Sequence, residues 1–247
     1  MPLKLHISLF FTAAILACSV QADQSMDWQS GLQDEYRPSS DKKRDVARKP
    51  VEVLKVLGVK SGMRVLDLFA AGGYYTEVLS HRVGSKGEVL SHNDKFLLEV
   101  MNGRFNQQMT DRLAMNRLPN VTRFHKEIGP LGLASEIDVI TIVLNYHDLY
   151  STRSLEERQE FLAELRKALK SGGVLGIIDS QATPGEHDPS LHRINSEIVK
   201  KELAEAGFVL VEDSAVLANA NDDYSLNVFV PSVRGKTDRF VLKFRKT

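Results

Sequence analysis

Asp67, followed by the small-residue stretch Phe69-Ala70-Ala71-Gly72-Gly73, is the first place where this chain could do chemistry. Small residues let backbone approach a ligand closely and take torsions that larger side chains resist. Further polar groups recur downstream: Asn93 and Asp94, then Glu127, then Asn145-Tyr146-His147-Asp148, then Asp179. His147 is the most suggestive of them. An unperturbed imidazole titrates near neutrality, so it can take a proton from a nucleophile, with Asp148 beside it to orient the ring or an amine substrate. A histidine that caps a strand and bonds to backbone is the competing reading. Asp67 reads either as an acceptor that orients the turn's backbone donors or as an ordinary strand-end cap. Tyr74 and Tyr75 either flank a ligand or belong to the core.

Each of these groups follows a segment that reads as a strand: "VLDLF", "GEVLSHN", "VTRFHK", "IDVITIVLN" and "VLGIIDS". Helical patterns separate them. Pro50 suits a first helical turn, Val53, Leu54 and Leu57 give an apolar face, and Gly58 can end it. Tyr75, Val78, Leu79 and Val83 recur at helical spacing up to Gly84. Residues 94–116 and 191–206 read as helical, and "SLEERQEFLAELRKALK" carries a capping box in Ser154 and Glu157, with "SGG" as its stop. Apolar strands alternating with helices imply a parallel sheet covered on both faces, with right-handed crossovers. "FVLVEDSAVL" and "RFVLKFRK" have no helix between them and should pair antiparallel. The expected fold is α/β: a doubly wound, Rossmann-like sheet of about seven strands, mostly parallel, with an antiparallel edge strand at the C-terminus. Ligands of such sheets lie at the carboxyl ends of the strands, where the polar groups fall.

With 247 residues and 43% hydrophobic content, the chain has material for one well-packed domain. Lys and Arg total 32 against 32 for Asp and Glu, which argues against a protein that lives by gripping nucleic acid or anionic membrane. Lys4, an apolar run over residues 7–17 and the small residues of "ACSVQAD" have the layout of a secretory signal over residues 1–22, cleaved after Ala22. Removal would leave no stable membrane insertion and a periplasmic or secreted product without a thiol, because Cys18 is the single cysteine. "ILAC" loosely resembles a lipid-attachment box, so lipidation at Cys18 is the alternative. Residues 23–43 read as a polar arm and 44–247 as the domain. "DKKRDVARKP" reads as a solvated helix face, or as a pocket rim formed by Arg44, Asp45 and Arg48.

The ordered strand ends resemble those of class I S-adenosylmethionine-dependent methyltransferases. That family's first motif is an acidic residue followed by Gly-x-Gly-x-Gly; Asp67 is the acidic residue here, and Phe69, Ala71 and Gly73 hold the glycine positions, so the last glycine alone is kept. The resemblance implies that Asn93, with Asp94 beside it, stands where the family binds the ribose hydroxyls. It also implies that Glu127 lies near the adenine with Ile128 over one face, and that Tyr75 and Asn145 line the same cofactor. "GGYYTEVL", "NYHDL", "LHRI" and "VRGKTDRFVLKFRK" further resemble a bacterial group of exported predicted methyltransferases. S-adenosyl-L-methionine is the implied cofactor, and a small molecule or envelope component the implied acceptor.

The resemblance makes Asp67, Glu127 and His147 gather around one cleft. A protein that binds an adenosyl ligand on the same fold without turnover is the rival, motivated by the altered glycine pattern. Methyl transfer from a sulfonium requires no metal; His125, His187 and His192 are scattered, and "HDPSLH" has no recognised ligand spacing, so no metal site is expected. His192 and Arg193 read as lining the substrate side or capping the next helix. "VRGKTDR", with Arg234, Lys236, Asp238 and Arg239, reads as a solvated hairpin or a lid over the acceptor site. Sequence leaves the oligomeric state open.

Overall fold

The computed structural model describes residues 28–185 and 188–246. The expected signal over residues 1–22, its cleavage point at Ala22, Cys18, and the His187 of "HDPSLH" lie outside the described residues. Among the described residues, no helix is long and apolar enough to cross a membrane.

Strands β1 (Arg64–Leu68), β2 (Glu88–Asn93), β3 (Val121–His125), β4 (Ile137–Val143), β5 (Leu169–Ser180), β6 (Phe208–Ser214) and β7 (Arg239–Lys246) form one sheet in the order β3-β2-β1-β4-β5-β7-β6. The first five are mutually parallel, and β7 runs antiparallel to both β5 and β6. The expected architecture is present, with one difference of position. The antiparallel C-terminal strand is inserted between β5 and β6, and β6 takes the edge. Burial explains the exchange: Phe240, Val241, Leu242 and Phe244 of β7 are all 7% exposed or less, so β7 needs cover on both faces, whereas Val209, Leu210 and Val211 of β6 remain exposed.

Successive side chains of a strand face opposite sides of a sheet. In β1, Leu66 and Leu68 accordingly join Ile140, Ile142, Phe161 and Leu162 in one core layer. Val65 joins Val139, Val78, Leu79 and Leu54 in the other. Each fully buried aliphatic side chain contributes roughly 1.5–3 kcal/mol.

The helices are α1 (Ser39–Arg48), α2 (Pro50–Leu57), α3 (Tyr74–Val83), α4 (Lys95–Leu113), α5 (Tyr146–Thr152), α6 (Leu155–Ala168) and α7 (Ser196–Glu205). Pro50 opens α2 and Gly58, at φ 75°, ends it. The Ser154–Glu157 capping box starts α6. Elsewhere the structure departs from the sequence pattern. α4 is broken over residues 100–103, where Met101, Asn102 and Gly103 take left-handed torsions and re-aim its second half. α7 begins only at Ser196, capped by Asn195 and preceded by a single 3-10 turn at Pro189–Leu191.

Residues 28–43 are folded rather than an irregular arm, and the expected boundary after residue 43 falls within α1. A 3-10 turn at Ser30–Gln33 buries Leu32. Arg37, 2% exposed, donates to the Leu32 carbonyl at 3.1 Å and to Asp45 Oδ1 at 2.8 Å. One side of the charged run is likewise docked rather than solvated. Asp45 accepts from the Tyr74 hydroxyl at 2.5 Å, and the Arg48 guanidinium lies 4.4 Å from the centre of the Tyr74 ring.

Candidate functional site

Between β1 and α3 the chain passes through Phe69, Ala71 and Gly73 at φ 55°, 49° and 81°. A left-handed torsion costs an ordinary residue roughly 1–2 kcal/mol, so something must hold Phe69 and Ala71 there. The turn is bonded from the ends of two neighbouring strands, β2 and β4. Ala70 N–H donates to the His92 carbonyl at 2.8 Å. The Asn93 side chain clamps Ala71 in both directions, Oδ1 accepting from its N–H at 2.8 Å and Nδ2 donating to its carbonyl at 3.0 Å. From the end of β4, Asn145 Nδ2 donates to the Phe69 carbonyl at 3.2 Å. The Phe69 ring turns inward against His92 and Phe161, with centroids 5.4 and 6.0 Å away.

Asp67 lies beneath this turn, 2% exposed. It accepts from the hydroxyls of Thr76 in α3 (2.6 Å) and Thr141 in β4 (3.1 Å), so its side-chain partners tie three elements together. Burial pushes its carboxyl up to about 6, against the opposing effect of the two hydroxyl donors. Tyr75 is buried in the core, its hydroxyl 3.4 Å from the Arg48 carbonyl. The redirected half of α4 covers the far end of the turn: a Cβ on Gly73 would meet Met109 Cε at 2.6 Å, one on Gly72 would collide with Gln108, and Arg112 Nε donates to the Gly72 carbonyl at 2.9 Å. Arg112 also pairs with Glu77 and Asp41, both buried.

Beyond the ends of β2 and β3 opens a cleft of about 280 Å³, lined by Asn93, Lys95, Leu98, Glu99, His125 and Glu127 among others. Glu127 is exposed and accepts from the Lys95 N–H at 3.1 Å. Asp94 is turned the other way, capping α4 through a 2.9 Å bond from the Leu97 N–H. Ile128 is partly buried against the core. Sequence reasoning passed over His92, which is fully buried with Nε2 2.9 Å from the Lys126 carbonyl and Nδ1 3.4 Å from the Phe69 N–H. Those partners require Nε2 to carry the proton and Nδ1 to accept. Burial pushes the imidazole down to about 4, which keeps it neutral. The signal for it was its place at the end of β2, opposite the turn.

A second cluster forms at the ends of β4 and β5. His147 stands in the first turn of α5, 5% exposed, and its backbone N–H and Nδ1 engage Asp179 at 3.0 and 2.9 Å. The carboxylate that orients the ring is therefore Asp179, not Asp148 as its adjacency suggests. Burial works against a charge on His147, but Asp179, with Asp148 adding to it, outweighs that and raises the imidazole's pKa. Asp148 and His192 meet the outer face of the ring. His192 thus lies at this cluster. Arg193 neither lines it nor caps α7: it is buried on Asp222, with Nη1–Oδ2 2.8 Å. Asp222 also accepts from the Asp238 N–H at 2.7 Å, which knits the "VRGKTDR" segment into the 219–238 loop.

Asp67, Glu127 and His147 thus occupy one end of the sheet in three separate surroundings: beneath the turn, on the open cleft, and in the His147–Asp179 cluster.

No family model matches the chain. Among curated proteins it is similar to the ubiquinone/menaquinone biosynthesis C-methyltransferase UbiE of Shewanella oneidensis, 28% identical over 168 residues, covering 65% of this chain and 62% of that protein. The protein of the same name from Shewanella sp. strain ANA-3 matches with the same identity and coverage. The chain therefore spans less than two thirds of the length of these curated relatives. Among solved structures, a SAM dependent methyltransferase from Aquifex aeolicus superposes with a TM-score of 0.59 at 22% identity, over 80% of this chain and 89% of that one. A SAM-dependent O-methyltransferase from Thermotoga maritima gives 0.52 at 16% identity, over 81% and 65%. The sheet order, the inserted antiparallel β7 and these likenesses together give this chain the class I S-adenosylmethionine-dependent methyltransferase fold.

Proposed function

We propose that this protein binds S-adenosylmethionine at the carboxyl end of its sheet and transfers the methyl group to a small molecule or envelope component. The observation that carries the reading is the turn at residues 69–73. All three positions where the family has glycine keep left-handed torsions, although two of them are Phe and Ala. A backbone path held against that cost is a functional feature by preference, because strain of this kind persists where a site requires it.

The residues present fit the cofactor. The cleft beside the turn is near the lower end of ordinary small-molecule sites, about 300–1,000 Å³. Glu127 offers an exposed carboxylate to a ribose hydroxyl or an adenine N–H, while Asn93 holds the turn in place. Gln108 lies over Gly72, but its side chain is exposed and a change of rotamer clears the way. When bound, the cofactor supplies an already activated methyl on a sulfonium, which leaves the protein to align the acceptor and exclude water. Asn145 braces the turn from the acceptor side. His147, held by Asp179, presents Nε2 as the atom that holds the acceptor's proton. Export of the chain belongs to the same proposal and rests on residues 1–22 alone; cell fractionation tests it.

Calorimetry of the purified chain with S-adenosylhomocysteine is the test. The expected result is binding that Glu127→Gln weakens about tenfold, the loss of one hydrogen bond to a charged group. No heat at millimolar ligand would refute the proposal. The altered glycine pattern, with Phe69 and Ala71 at the first two positions, favours a second reading, a binding protein without turnover. Transfer of labelled methyl to cell-envelope extracts would eliminate it.

A further inference from the structure

Within the acceptor-side cluster, side chains from two separate stretches of chain bring three ligand atoms together. His147 Nε2 and His192 Nδ1 are 3.3 Å apart, and Asp148 Oδ1 is 3.4 Å from each nitrogen. They form a nearly equilateral triangle. In a tetrahedral zinc site, bonds of about 2.0–2.1 Å place neighbouring ligand atoms about 3.3–3.4 Å apart. An octahedral ion with the same bond lengths would draw them to about 2.9 Å. We propose that His147, Asp148 and His192 are the three protein ligands of a tetrahedral divalent ion, zinc by preference, with the fourth position open to solvent or substrate.

Four features support this beyond the triangle. Asp179, fully buried, accepts from His147 Nδ1 at 2.9 Å, which leaves the lone pair on Nε2 facing the cluster. A carboxylate behind a histidine is the usual outer support of a metal ligand. Two imidazoles and one carboxylate suit zinc's donor preference and leave one position vacant, the composition of reactive rather than purely structural sites. Asp148 is 51% exposed at its side chain, so an ion can enter, and the Phe229 ring, 4.9 Å from that of His192, walls the other side. Finally, His192 takes a left-handed torsion, φ 53°, at the end of the Pro189–Leu191 turn, and the Leu191 carbonyl accepts from the Val228 N–H at 3.2 Å. One proton shared between the two histidines would account for one edge of the triangle but not for the two edges to Asp148.

The inference does not depend on methyl transfer. If both hold, the ion takes the His147 lone pair in place of the acceptor's proton, which leaves to solvent, and an oxygen, nitrogen or sulfur atom of the acceptor meets the fourth position. The test uses the untagged chain stripped of metal and titrated with zinc, with bound metal measured by mass spectrometry after dialysis. Cobalt substitution reports geometry through its visible absorption. The expected result is one ion per chain and a cobalt spectrum of tetrahedral intensity. His192→Ala should abolish binding, and Asp148→Asn should weaken it strongly. Asp179→Asn should weaken it about 10–100-fold, as for other outer supports of metal ligands. His125→Ala, on the exposed end of β3, should leave it unchanged. Circular dichroism confirms that each variant is folded; should Asp179→Asn fail to fold, His192→Ala, at a residue whose side chain is 34% exposed, decides alone. A wild-type chain that takes up no zinc at micromolar concentration overturns the proposal. So does zinc held equally well by His192→Ala and Asp148→Asn, which marks an adventitious ion only.

Discussion

Replacing Ala71 with glycine should stabilise the protein, although it deletes a methyl group from a partly buried position. Ala71 sits at φ 49°, and its backbone N–H and carbonyl are both held by Asn93, so the substitution keeps these hydrogen bonds of the turn intact. The native state regains the roughly 1–2 kcal/mol that a Cβ costs in the left-handed region. Against this, glycine frees the unfolded chain by about 0.4–1 kcal/mol. The mid-range balance is a gain of about 0.8 kcal/mol, a rise in Tm of about 2–3 °C for a chain of this size. Phe69→Gly in the same turn has the opposite sign. It removes the same kind of torsional strain but also the ring packed on His92 and Phe161, and should lose roughly 2–4 kcal/mol net, set by the usual cost of deleting a buried aromatic. Urea unfolding followed by the fluorescence of Trp28, the single tryptophan and packed against the core, measures both. A loss of stability in Ala71→Gly, or no change, would refute the argument that this turn is held against its own torsions.

Two buried groups flanking the turn should oppose each other in pH dependence. His92, held near 4 by burial, refuses in the folded state a proton that the unfolded chain takes up below pH 6.5, so it lowers stability by about 3 kcal/mol as pH falls from 6.5 to 4. Asp67, pushed up to about 6, takes its proton first in the folded state and raises stability by about 3 kcal/mol between pH 6 and 3.8. Urea unfolding should therefore show little net slope from these two groups in the wild type, a rise on acidification in His92→Gln and a fall in Asp67→Asn; three parallel profiles would contradict the assignment. Asp222→Ala leaves Arg193 buried without its carboxylate and should cost about 3–5 kcal/mol, with faster hydrogen exchange confined at first to the 219–238 loop.

Much of this fold was legible because apolar periodicity and helix caps are local. Val65 and Leu66 alternate faces in β1, Ser154 and Glu157 close their box three residues apart, and Gly58 ends α2 where the pattern stops. The same logic located the turn at Asp67 and the polar group at each strand end. The break at residues 100–103 was not legible, since Met101 and Asn102 are ordinary residues whose left-handed torsions serve contacts made further along, where Met109 and Arg112 reach the turn. Nor was the folded state of residues 28–43, because a polar segment reads as solvated until Arg37 is seen buried on Asp45.

The sequence by itself determined the alternating strands and helices, the parallel sheet and the strand ends at which chemistry can occur. Each depends on interactions within a few residues or on a repeating pattern. Tertiary structure alone decided the partners: Asp179 rather than the adjacent Asp148 behind His147, His192 brought onto that ring from a distant turn, Asn93 spent on Ala71, and β7 placed inside β6. The physical reason is range. A hydrogen bond or a shared ligand centre requires atoms within about 3.5 Å, and that proximity belongs to the packing of the sheet, not to the spacing of residues along the chain.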